Sequence, residues 1–158
     1  MNPLNQPSEI KSVKKTRTFL LNLVKDLSTE QLNKIPPGFN NNIIWNLGHL
    51  IAAQQGICYL KAGLPPAVPE TYIQLYKSGT KPAQFVDSNE AITIKQTLLT
   101  SIEQLETDLQ KKLFVNYNTW STRYSIELSG IDDALQFLLF HEGLHSGYIT
   151  ILKRQVTS

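Results

Sequence analysis

The chain contains three histidines, His49, His141 and His145, and their placement is its strongest chemical signal. At about 100° per residue, His141 and His145 project about 40° apart and one turn along a helix, the spacing at which two imidazoles can share a metal ion. Ala134, Phe137, Leu138, Tyr148, Ile149 and Leu152 fall on the same side of that helix, so both rings are expected inside an apolar stripe. His49 lies on a second amphipathic segment, on a face shared with Asn42, Trp45, Asn46, Ala53, Gly56 and Leu60. Two amides and several small side chains there leave room beside the ring. Burying three imidazoles without partners is costly, and ligation of one divalent metal removes that difficulty. Hydrogen-bonded core histidines are the competing reading. An all-imidazole site accepts zinc, nickel, copper or iron, with zinc and nickel the expected occupants.

Residues 141–145 also match the pattern H-E-x-x-H, in which the intervening glutamate of a zinc protease is the general base. The protease reading is set aside, because few residues follow His145 and Arg154 to Ser158 supply no third histidine. Glu142, about 100° from His141, is the candidate catalytic group, as a proton carrier or a support for a ligand; a solvated helix charge is the alternative. Cys58 lies about 180° round the helix from His49 and reads as a packed thiol, neither ligand nor nucleophile. Gly143 and Gly147 each cost about 1 kcal/mol inside a helix, and close packing against another helix or a second subunit would account for them. A homodimer is therefore an expectation.

Four amphipathic helices must position these residues. The first is expected from about Ser8 to Asp26, with Ser8 as its cap and Ile10, Val13, Leu20, Val24 and Leu27 on one stripe. A capping box at Ser28 to Gln31 opens a short connector that Pro36-Pro37-Gly38 ends. The second helix is expected from Asn41 to Lys61, stopped by Gly63 and Pro65-Pro66. Gly63 to Asp87 reads as a long crossover with one helical turn near Tyr72 to Tyr76. Asp87 to Lys112 is the third helix, Leu113 to Leu128 a short hairpin or extended loop, and Ile131 to Val156 the last helix, capped near Ser129 or Asp132. The fold class expected is all-α, a four-helix bundle with a long crossover between helices two and three, in one domain over residues 1–158.

Composition limits the partners. The net charge of +2 and the apolar content of 41% suit a globular chain without a nucleic-acid surface. Lys11, Lys14, Lys15 and Arg17 read as a solvated helix face. No apolar run approaches the ~20 residues a membrane span needs. The single cysteine and the lack of a signal-peptide pattern in Met1 to Glu9 lead to the expectation of a reducing, cytoplasmic setting.

The segments Asn42 to Ile51, NIIWNLGHLI, and His141 to Ile149, HEGLHSGYI, together resemble the DinB-like (DinB/YfiT) superfamily. The resemblance spans nearly the whole chain. It implies a four-helix bundle whose metal is held by one histidine of the second helix and two of the last, matching His49, His141 and His145. Many members carry glutamine where this chain has Tyr148. Members of known activity look like thiol-dependent transferases or isomerases using mycothiol, bacillithiol or a related low-molecular-weight thiol, which implies a metal-dependent transferase or hydrolase acting on a small-molecule substrate. The metal would then lower the pKa of bound water towards about 7 or hold a cofactor thiol as thiolate. A non-catalytic metal-binding module, stress-related or an interaction partner, is the alternative. An opening beside the histidines, lined by the crossover, would favour an enzyme; histidines sealed by apolar side chains would favour the alternative.

Overall fold

Apolar residues at helical spacing make this chain helical almost throughout, and the computed structural model describes it over residues 7–158. Most of the stretch Met1 to Glu9, read as lacking a signal-peptide pattern, thus lies outside the described residues. Helix α1 (Ser8–Leu23) starts one residue earlier than expected of a serine cap: Pro7 is the capping residue, and Ser8 is inside the helix with its hydroxyl on the Glu9 carboxylate at 3.1 Å. Helix α2 (Thr29–Asn33) has the expected capping box, Ser28 accepting from Gln31 N while the Gln31 side chain accepts from Ser28 N.

The second long helix is not continuous. Helix α3 (Ile43–Gln54), with Asn42 accepting from Trp45 N at its start, runs into a π turn at Gln55–Tyr59 and a 3₁₀ turn at Leu60–Ala62, closed by Gly63 at φ 71°. The wider π turn accommodates what propensity alone does not reveal: Tyr117 reaches in to donate its hydroxyl to Ile57 O at 2.9 Å. The crossover contains helix α4 (Glu70–Tyr76). Helix α5 (Ser88–Gln110) has Asp87 as its cap, accepting from Glu90 N. Strands β1 (Trp120–Ser121) and β2 (Glu127–Leu128) pair antiparallel, Trp120 opposite Leu128, as a minimal hairpin. Helix α6 (Ile131–Thr157) begins after Gly130, which offers no side-chain cap; Ser129, expected to cap, instead donates from its N and Oγ to the Asp133 carboxylate.

The broad expectation of an all-α chain thus holds among the described residues, with one small hairpin. Helix α1 packs against α5 and α6, and α3 packs against the same two helices. The buried apolar residues form two clusters, one including Leu20, Ala52, Leu98 and Ile149, the other including Val13, Ile57, Ile102 and Leu138. On each long helix a polar residue lies in sequence between members of the two clusters: Arg17, Gln54, Ser101 and Glu142, all buried. The Arg17 guanidinium joins them. Its Nε and Nη2 donate to Glu142 Oε1 at 3.0 and 2.6 Å, and Nη1 donates to Gln54 Oε1 at 2.8 Å, Leu98 O at 2.8 Å and Ser101 Oγ at 3.1 Å. Two expectations are corrected here. Arg17 does not belong to the solvated lysine face, and Glu142 is not a solvated charge: both side chains are 0% exposed and each compensates the other.

Candidate metal centre

His49 from α3 and His141 and His145 from α6 come together as expected, with one ring nitrogen of each inside a group whose members all lie within 4.8 Å of one another. The rings are buried, at 5%, 8% and 8% exposure. Each is aimed by its surroundings. Asn46 donates through Nδ2 to Asn42 O at 2.7 Å and to Asn41 Oδ1 at 3.1 Å, which turns its Oδ1 towards His145 Nδ1 at 2.8 Å. An amide oxygen only accepts, so His145 carries its proton on Nδ1 and keeps the Nε2 lone pair free. His49 Nδ1–H donates to Tyr76 O at 2.7 Å, with the same result.

The two freed lone pairs meet His141, whose Nε2 is 3.2 Å from His49 Nε2. Two nitrogens bonded to one zinc at about 2.0–2.1 Å and a near-tetrahedral angle stand about 3.3 Å apart, so this pair already has the separation of neighbouring ligands. His141 Nδ1 is buried with no hydrogen-bond partner among the described residues, and its Nε2 faces the His49 Nε2 lone pair at hydrogen-bond distance, so ligation through His141 Nε2 would replace that contact. Burial depresses the basicity of all three rings. His145 falls from an ordinary 6.5 to about 2, by desolvation and then the neighbouring His141 and His49. His141 falls to about 3 for the same leading cause, and His49 also falls, opposed by its bond to Tyr76 O. Three neutral imidazoles, each with a ring nitrogen in one group, are a donor set that suits a divalent transition ion.

Aromatic rings hold the cluster in place. Trp45 stacks on His49 with centroids 4.8 Å apart and planes 10° apart, and Tyr148 stands edge-on to His145 at 5.4 Å. Gly48 lets α4 approach: a Cβ there would lie 2.6 Å from the Tyr76 ring, so only glycine allows Tyr76 to bring its carbonyl to His49. The histidines open onto a cavity of about 940 Å³. Its walls come from α3 and the π turn, from the crossover through Ile73, Gln74 and residues 77–80, from the hairpin and from α6. Gly56, inside the π turn, has nothing within 4 Å of where its Cβ would be and lines this space.

The remaining sequence candidates sit elsewhere. Glu142 is absent from the cavity wall and has Oε2 buried without a partner, its other oxygen being on Arg17. Its pKa is raised by burial, with Arg17 opposing. Cys58 is buried, and desolvation lifts its thiol to about 12, consistent with a packed, unreactive residue. Gly143 and Gly147 meet nothing within 4 Å, which corrects the expectation that another helix of this chain presses on them. Sequence reasoning missed Arg17, the bond from His145 to Asn46, and Tyr76. Asn46 had a visible signal, an amide on the His49 face; Tyr76 acts through its backbone and had none.

The family model of the DinB superfamily matches residues 12–149, which include all three histidines. No curated protein matches the chain. The chain belongs to the DinB superfamily.

Proposed function

We propose that this DinB superfamily member holds one divalent transition-metal ion, zinc or nickel, on His49, His141 and His145 and is a metal-dependent transferase or hydrolase acting on a small molecule. The observation that carries the reading is the cavity of about 940 Å³ that reaches all three histidines and is walled in part by the crossover. A purely structural three-histidine site would gain nothing from such an opening, so the cavity supports the enzyme over the non-catalytic module. The four packed long helices are read as a four-helix bundle in one domain. When bound, the metal supplies a Lewis acid that activates water or a cofactor thiol at an open coordination position.

The chain's own residues do the rest. Asn46 and the Tyr76 carbonyl fix the tautomers of His145 and His49. Trp45, Tyr148 and Phe137 line the cavity beside the rings. Glu142 is a positioning residue, since it sits next to His141 in α6 and is held by Arg17 away from the cavity. Gly143 and Gly147, beside the exposed Phe140 and Ile151 on α6, support packing of a second copy there, which light scattering would test.

The deciding experiment is elemental analysis of protein purified without a chelating resin, beside a His141→Ala, His145→Ala double variant. About one equivalent of transition metal, lost in the folded variant, is expected for a three-ligand site. Folded wild type that stays metal-free after reconstitution would overturn the reading.

A further inference from the structure

We infer that the cavity beside the histidines takes a small organic anion with an apolar body, its charge met by Lys61 and Arg123. Among the described residues, the walls include Lys61, Lys77 and Arg123 and no aspartate or glutamate. The chain has 15 lysines and arginines against 13 acids, so a wall indifferent to charge would draw on both signs about equally. Among the described residues, none of these three cations is in an ion pair.

Two of the cations are fixed against the wall. Lys61 Nζ lies 4.7 Å from the centroid of Trp120, and Arg123 Cζ lies 5.8 Å from that of Tyr124. Both rings also line the cavity, so each charge is presented beside an aromatic surface. Lys61 is further held through its backbone, where its carbonyl accepts from Asn118 N at 2.7 Å, tying the end of the 3₁₀ turn to the loop before the hairpin. Ile57, Leu60, Phe137 and Leu144 supply apolar wall, which calls for an apolar body on the ligand. Neutral imidazoles contribute no negative charge, and a bound divalent ion would add to the positive field. The inference rests on the proposed metal site only for where the reacting end lies; recognition of the charge by Lys61 and Arg123 stands apart from it.

Zinc-loaded protein, purified without a chelating resin, is titrated by calorimetry with 4-phenylbutyrate and with its uncharged amide. The carboxylate is expected to bind about tenfold more tightly than the amide, as a charge-assisted contact gives, with the margin shrinking on added salt. In a Lys61→Gln, Arg123→Gln variant of unchanged metal content and circular dichroism, the preference is expected to fall below about threefold. Equal affinities, or no saturation by the carboxylate, would overturn the inference. So would a preference that survives in the variant and disappears on metal removal, since that places the anion on the ion alone. Protein that binds no metal yet keeps the Lys61- and Arg123-dependent preference would sink the proposed metal site and leave this inference standing.

Discussion

Arg17 and Glu142 show how a single buried pair can matter more than its strength as an ion pair. Both are fully buried, and Arg17 reaches groups on α3, α5 and α6 from its place on α1. Replacing it leaves Glu142 charged without compensation or protonated at a cost, so Arg17→Leu should destabilise the protein by about 3–5 kcal/mol. Arg17→Leu with Glu142→Leu should cost clearly less than the sum of the two single changes, read from urea denaturation midpoints. Additive losses would show that the pair is not energetically coupled. Asn46 is the other residue whose role is specific. Asn46→Ala removes the acceptor that holds His145 on its Nδ1 tautomer, and should weaken metal binding by about 10–100-fold with the fold retained. Competition against a chromophoric chelator measures this.

Between elements, the α3–α4 contact at Gly48 sets where the Tyr76 carbonyl stands. Gly48→Ala favours the helix by propensity, about 1 kcal/mol, but its methyl group would meet the Tyr76 ring at 2.6 Å. The clash should win: a net loss of about 1–3 kcal/mol in stability, together with weaker metal binding as α4 shifts away from His49. A variant more stable than wild type with unchanged metal affinity would show that α4 does not position the site. The hairpin and the π turn act in the same way on the opposite wall, where Tyr117 joins the loop to Ile57 O and the Lys61 carbonyl accepts from Asn118.

For the whole molecule, the buried histidines link stability to pH. The folded values for His145 and His141, about 2 and about 3, lie far below the ordinary 6.5. Between those limits the unfolded chain binds protons that the native state refuses, so stability falls as pH falls. The histidine contribution is present in full above about pH 6.5 and is lost progressively below it. Metal-free protein should therefore have a lower urea midpoint at about pH 5 than at about pH 7.5, with little further change above that. A midpoint independent of pH across this range would mean that the rings are not buried neutral in the apo protein. Among the described residues no helix is long and apolar enough to cross a membrane.

The sequence by itself determined the helices and which way the histidines point. Both depend on the 3.6-residue period, which any stretch of chain expresses locally: Ile94, Leu98 and Ile102 mark α5, and His141 and His145 fall on the stripe that α6 buries. It also read Cys58 as a packed thiol and Leu113 to Leu128 as a hairpin or extended loop, where the described residues form their β pairing, again from local spacing and residue type. It read Arg17 as solvated and left a solvated charge open for Glu142, because a charge on a helix looks solvated until its partner, 125 residues away, is known to lie beside it. The break of the second helix at Gln55, the Tyr76 carbonyl on His49, the Asn46 amide on His145 and the cation-lined cavity were decided only by tertiary structure. Each depends on groups far apart in sequence meeting at hydrogen-bond distance, and no local period encodes such a distance.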